Sequence, residues 1–194
     1  MTLQLIHRDH PLRPLAEERV RAIYRQSYGA VVRSFPELLA AFVDATGKPT
    51  CIAGVRYGLT DCFSEQYLDR PVEAVLSAVD SRAVGRGEIL EVTTLVSQRS
   101  AESIGLVRSI TNLGRSLGMR WGLFTATSRL RRALPRLGMP LVELAPARRD
   151  RAAHPEDWGR YYETDPWVCA MSDQAPAPST RPTAARAMPA MLAL

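Results

Sequence analysis

The chain has 194 residues, 46% of them hydrophobic and 23% charged, which fits one soluble globular domain with a full core and leaves little room for two. No apolar run approaches the ~20 residues needed to span a bilayer, and the N-terminus lacks a basic segment followed by an apolar one, so the expected setting is cytoplasmic. The net charge of +5 is carried almost wholly by arginine, and Lys48 lies in an apparent turn, which excludes chemistry through a lysine Schiff base.

In chain order, Thr2 to Arg8 alternates around Leu3, Leu5 and Ile6 as a first, edge strand. A helix starts near Pro14, with Glu17 and Glu18 in its first turn, arginines towards its end and Gly29 as its stop. Leu38–Asp44 and Thr50–Tyr57 are strands joined by a short Gly-containing connection, a hairpin signal. After Phe63–Leu68, Asp69 is placed to cap a helix that has Pro71 in its first turn and carries Val72, Val75, Leu76 and Val79. Ser81 to Gly87 reads as a loop.

The next segment is the centre of the chain. Glu88–Ser97 and Met119–Thr127 are rich in apolar and β-branched residues on both faces, as buried strands are, and Ile104, Val107, Ile110, Leu113 and Leu117 form a crossover helix between them. Ser128 then caps a short basic helix, Arg129 to Leu137, stopped by Gly138. Leu141–Leu144 is a strand, Arg148–Arg160 loop and turn, and Pro166–Met171 a last strand. This order defines a three-layer α/β sandwich with a mixed central sheet over residues 1–172, followed by an Ala/Pro-rich tail, 173–194, expected to be disordered. Cys51, Cys62 and Cys169 show no CxxC pairing and the three histidines are scattered, so no metal site is expected.

Several segments together carry a resemblance: Tyr28-Gly29-Ala30, Ala53-Gly54-Val55-Arg56, Glu65–Asp69 with Pro71-Val72-Glu73, Glu91-Val92 with Leu95, Phe124–Thr127, Leu130-Arg131, Arg136-Leu137-Gly138, and Trp158-Gly159 with Tyr161-Tyr162. Across roughly Leu5 to Ala170 the chain resembles the thermostable haemolysin family. It has the element order of the Gcn5-related, acyl-CoA N-acyltransferase fold and is similar to acyl-homoserine-lactone synthases. The resemblance implies that the central strand splays from its parallel neighbour and pairs with the pantetheine arm of an acyl thioester. Leu95, Val96 and Ser97 would then line the arm, and Gln98, Arg99 and Ser100 would hold phosphate at a helix N-terminus.

Two departures refine this reading. The turn Gln98–Ser103 lacks the glycines that let a backbone approach a pyrophosphate, which favours a carrier-protein phosphopantetheine, with its single phosphate, over coenzyme A. Glu91-Val92-Thr93-Thr94-Leu95 lacks the arginine of the lactone synthases, which argues against their sulfonium substrate.

An amine attacking a thioester must lose a proton, and a carboxylate in a buried strand has its pKa raised towards the range useful for a general base. Glu91 is the candidate base, directly or through water; its alternative role is to pair with Arg56 and hold the sheet together. Glu65, before the second helix, either binds a cationic amine or caps a turn. Arg56 either grips an acceptor carboxylate or partners these acids, while Tyr28 and Thr125 line the acceptor side or simply pack. Arg129, Arg131, Arg132 and Arg136 form a basic region suited to an acidic carrier protein or to solvent; the absence of interleaved aromatic residues excludes nucleic acid as a partner.

The function expected from all of this is acyl transfer from a carrier-protein or coenzyme A thioester to an amine or amino-acid-like acceptor in natural-product biosynthesis, with the thioester as co-substrate and no tightly bound cofactor. The alternatives are an offloading or cyclising enzyme acting on a carrier-bound polyketide or peptide, and a non-catalytic binding module. A membrane-lytic protein needs a long amphipathic or spanning element, which the sequence lacks.

Overall fold

In a computed structural model, which describes residues 1–57, 62–97 and 99–172, one seven-stranded sheet runs through the molecule. The strands are β1 (Thr2–Ile6), β2 (Leu38–Val43), β3 (Pro49–Tyr57), β4 (Ile89–Ser97), β5 (Trp121–Ala126), β6 (Val142–Pro146) and β7 (Trp167–Ser172). Their order is β1-β2-β3-β4-β5-β7-β6, with β4 and β5 parallel and every other pair antiparallel. The helices are α1 (Arg13–Tyr28), α2 (Val72–Ser77), α3 (Ser100–Ser116) and α4 (Ser128–Arg136). The expected α/β sandwich with a mixed sheet is therefore the observed one. The tail 173–194 and Gln98 lie outside the described residues.

Alternation along the strands divides the core by face. Leu38, Ala40, Cys51, Ala53, Val55, Leu90, Val92, Phe124 and Ala126 point to one side, where they meet Leu106, Val107 and Ile110 of α3 and Leu134 of α4. On the other side the apolar surface forms two clusters. Leu39, Ala41 and Ile52 pack on Ala16, Val20 and Tyr24 of α1, while Ile89, Trp121 and Leu123 pack on Val72 and Leu76 of α2. The apolar stripe of α3 runs through Leu106, Val107 and Ile110 rather than ending at Leu117, which is exposed.

Several local expectations are corrected. Arg13 opens α1, so Glu17 lies beyond the first turn and pairs with Arg13 and Arg21 one helical turn away on either side instead of complementing the dipole. The cap of α4 is Thr127, whose hydroxyl accepts from the Leu130 N–H at 3.4 Å, and Ser128 is already helical. Asp69 caps nothing: it pairs with Arg151, and the Val72 N–H at the start of α2 is bound by Glu65 at 2.9 Å. The stretch 148–160 is folded into short 3₁₀ turns at Arg149–Arg151 and Pro155–Trp158. Among the described residues no helix is long and apolar enough to cross a membrane.

Candidate active site

The site begins with the way β4 leaves its neighbours. Its parallel ladder with β5 runs from Ile89↔Trp121 to Val92↔Phe124, and no pair follows, although β4 continues to Ser97 and β5 to Ala126. On its other edge β4 stays paired with β3, but the register shifts between Ile52↔Val96 and Gly54↔Thr93, so that β4 carries one extra residue there. Thr94, inside this bulge, has φ 47°, a left-handed conformation that is uncommon for a β-branched residue. Gly54 faces the bulge closely: a Cβ there would meet Thr93 Oγ1 at 2.4 Å and Pro36 Cγ at 2.8 Å. The bulge bends β4 away from β5 and opens a gap in the sheet.

A cavity of about 260 Å³ occupies this gap, and its lining comes from both faces. Val92, Val107, Phe124, Leu130 and Leu134 belong to the α3/α4 side; Tyr24, Tyr28, Phe63, Ser64, Trp158 and Tyr161 belong to the other side. Thr93, Thr94, Leu95, Arg56 and Thr125 stand at the passage between them. The cavity thus crosses the sheet. One arm is apolar, and the other is walled by aromatic rings in edge and tilted contacts, with centroids 5.3–6.3 Å apart. Among the described residues the Thr93 and Thr94 hydroxyls, both of residues that line the cavity, are buried without a hydrogen-bond partner.

Glu91 sits just behind the passage and has no exposed surface. Its Oε2 accepts from the Phe63 N–H at 2.9 Å and its Oε1 from the Ser64 N–H at 2.7 Å, both at the start of the 3₁₀ turn Phe63–Tyr67. Arg56 Nε lies 3.8 Å from Oε2, an ion pair too long for a hydrogen bond. Burial pushes the Glu91 carboxyl above its ordinary value, opposed first by the Ser64 hydroxyl, then by the two backbone donors and the Arg56 charge. Glu91 does not itself line the cavity. Ser64 and Thr125 do, with their hydroxyl oxygens 3.1 Å apart.

Of the other residues singled out in the sequence, Arg56, Tyr28, Thr125 and Leu95 come together at the cavity. Glu65 does not: its carboxylate is bound to the Val72 N–H and ion-paired with Arg86. Val96 points into the α1 cluster. The Ser97 hydroxyl accepts from the Arg99 N–H at 3.1 Å and lies 3.2 Å from Glu102 Oε2. Ser100 opens α3, whose first turn contains the buried Glu102, 3.6 Å from Arg99. The helix N-terminus proposed for phosphate therefore already faces a carboxylate of its own.

On α4, Arg129, Arg132 and Arg136 are exposed. Arg131 is not available to a partner in the same way, because it pairs with Glu143 and Asp165 and stacks over Trp167. Sequence reasoning gave no site role to the aromatic wall, above all Trp158, in a stretch read as loop and turn, and Tyr161 just beyond it, nor to Ser64. His154, Glu156 and Asp157 bring one ligand atom each within 4.8 Å, but Asp157 is held by Arg33.

Set beside known proteins, residues 6–176 match the family model described as thermostable hemolysin, and the chain belongs to that family. Its fold is that of the acyl-CoA N-acyltransferases. The acyl-homoserine-lactone synthase LasI superposes with a TM-score of 0.58 at 11% identity, covering 88% of this chain and 89% of LasI. FeeM, an N-acyl amino acid synthase from uncultured soil microbes, gives 0.53 at 12% identity over 88% of this chain and 93% of FeeM. MesI, a CoA-dependent acyl-homoserine lactone synthase, gives 0.51 at 17% identity over 88% of each chain. Comparison with curated protein sequences gives no match.

Proposed function

We infer that the protein is an acyltransferase that moves an acyl group from a thioester to the nitrogen of an amine or amino-acid-like acceptor, in cytoplasmic natural-product biosynthesis. The observation that carries this reading is the cavity crossing the sheet where β4 parts from β5. Such a passage brings two molecules together end to end and excludes water from the point where they meet.

The roles follow from the lining. The apolar arm of Val92, Leu95, Val107, Phe124, Leu130 and Leu134 receives the acyl chain. The unpaired edge of β4 and the two orphan threonine hydroxyls offer donors to the thioester carbonyl and its arm. On the aromatic side Arg56 grips the acceptor's carboxylate while Tyr28 shapes its pocket. Glu91 receives the proton that nitrogen sheds. The thioester is a co-substrate rather than a resident cofactor. The donor is carried on an acidic carrier protein that meets Arg129, Arg132 and Arg136. MesI and FeeM, described as a CoA-dependent lactone synthase and an N-acyl amino acid synthase, share the fold and support the same chemistry. Glu65 and Arg131 are assigned structural roles.

The test is intact-mass analysis after mixing the protein with acyl thioesters on coenzyme A and on carrier protein, in the presence of the amino acids. The expected result is an acceptor heavier by one acyl group and a free thiol, with carrier-bound donors preferred. A folded protein that transfers no acyl group from any donor overturns the reading.

A further inference from the structure

One arm of the passage is walled by rings that come from four elements. Tyr24 and Tyr28 belong to α1, Phe63 to the 3₁₀ turn Phe63–Tyr67, Trp158 to the turn Pro155–Trp158 and Tyr161 to the turn Tyr161–Thr164. Four of them close a circuit. Between centroids, Tyr24 lies 5.6 Å from Tyr28, Tyr28 5.3 Å from Tyr161, Tyr161 5.5 Å from Trp158, and Trp158 6.3 Å from Tyr24 again. Phe63 joins the circuit through Trp158 at 5.6 Å, and all five residues line the cavity. Rings that brace one another hold their places without a ligand, so the wall is a preformed surface for a flat, apolar occupant.

The charges around this arm narrow the occupant further. Asp157 is the one acid among the described residues that line the cavity, and Arg33 Nη2 donates to it at 2.7 Å. Glu91 is buried behind the lining, and Glu65 is turned to the Val72 N–H and to Arg86. Burial pushes the phenols of Tyr24, Tyr28 and Tyr161 up, the mark of a dry arm. A cationic side chain entering it would give up its water and meet the guanidiniums of Arg33 and Arg56, with the lining's one carboxylate already paired. An acidic side chain would have to displace Asp157 from Arg33.

The structure assigns this arm to the side chain of an aromatic amino acid, phenylalanine, tyrosine or tryptophan, as the acyl acceptor. The assignment rests on the acyl-transfer reading above and names the acceptor class that its pocket selects. The ring of the acceptor lies among Tyr28, Trp158 and Tyr161, its carboxylate meets Arg56, and its nitrogen faces the gap between β4 and β5. The passage holds about 260 Å³ over both arms, below the ~300–1,000 Å³ of most small-molecule sites, so one ring fills this side. In the transfer the C–N bond forms and the C–S bond of the thioester breaks. The ammonium gives one proton to the departing thiolate and one, finally, to solvent, so the products are an N-acyl amino acid, a thiol and a proton.

The test offers the wild type and its best thioester an equimolar mixture of phenylalanine, tyrosine, tryptophan, leucine, alanine, lysine and glutamate, and reads the products by mass spectrometry. The aromatic amino acids are expected to be acylated about 30-fold more than alanine, lysine or glutamate and about fivefold more than leucine. Trp158→Leu keeps the wall apolar but removes the ring that touches three others. It is expected to lower the phenylalanine-to-leucine ratio of kcat/KM about tenfold while KM for the thioester stays within about threefold. Tyr28→Leu carries the same expectation if Trp158→Leu fails to fold. Ligand-observed NMR without thioester is expected to show phenylalanine bound and lysine not. Transfer with no aromatic preference, or with lysine or glutamate preferred, overturns the acceptor class and leaves acyl transfer standing. An unchanged ratio in the folded variants also overturns it, because the rings then do not select. Aromatic binding by a protein inert to every thioester overturns the parent reading alone, and the absence of both overturns both.

Discussion

Glu91 faces two backbone N–H groups inside the sheet, with a guanidinium at 3.8 Å. Burial still outweighs these partners, so its folded pKa lies above the ordinary 4.5. A carboxyl raised on folding contributes its full stability below the unfolded value and loses it as pH rises through the folded one. The stability of the wild type relative to Glu91→Gln is therefore expected to fall as pH rises above the ordinary carboxyl range, read from paired thermal melts in which the other titrating groups cancel. Strand composition alone pointed to a buried acid at Glu91. The sequence could not indicate that the backbone of Phe63 and Ser64 binds this acid, because 27 residues separate Ser64 from Glu91 and only the folded sheet joins them.

At the scale of elements, most strands were legible because both central ones are apolar on both faces, and the helices because Gly29, Gly118 and Gly138 end them with positive φ. What could not be read was the bulge in β4. Strict alternation from Leu90 and Val92 places Thr94 and Val96 on the α3 side, yet Val96 packs with the α1 cluster and Leu95 with α3, because one inserted residue reverses the facing of everything after it. The stretch 148–160 was opaque for a different reason: its order comes from distant backbone contacts rather than local periodicity. The Val31 N–H donates to Asp157 O at 2.7 Å and the Arg160 N–H to Tyr28 O at 2.8 Å, which seats Trp158 and Tyr161 against α1. Gly159 makes that approach possible, since it has φ 50° and a Cβ there would lie 2.2 Å from Tyr28 O. Gly159→Ala is expected to destabilise the protein by about 2–4 kcal/mol in chemical denaturation and to open the aromatic wall.

At the scale of the whole molecule, the exposed arginines of α4 lie on the element that also supplies Leu130 and Leu134 to the apolar arm. A partner docked there stands beside the apolar arm, the end that the proposed function gives to the acyl chain. Reversing Arg129, Arg132 and Arg136 to glutamate together is expected to weaken binding of an acidic carrier protein about tenfold at low salt. The difference should fade by about 0.5 M salt in calorimetric titrations, as screening removes the attraction. Arg131 is left out of that set because its pairs with Glu143 and Asp165 tie α4 to the far edge of the sheet.

A wall pierced from side to side has two doors. Because the opening between β4 and β5 runs through the sheet instead of ending on it, visitors from opposite sides need not queue behind one another, and neither traps the other by arriving first.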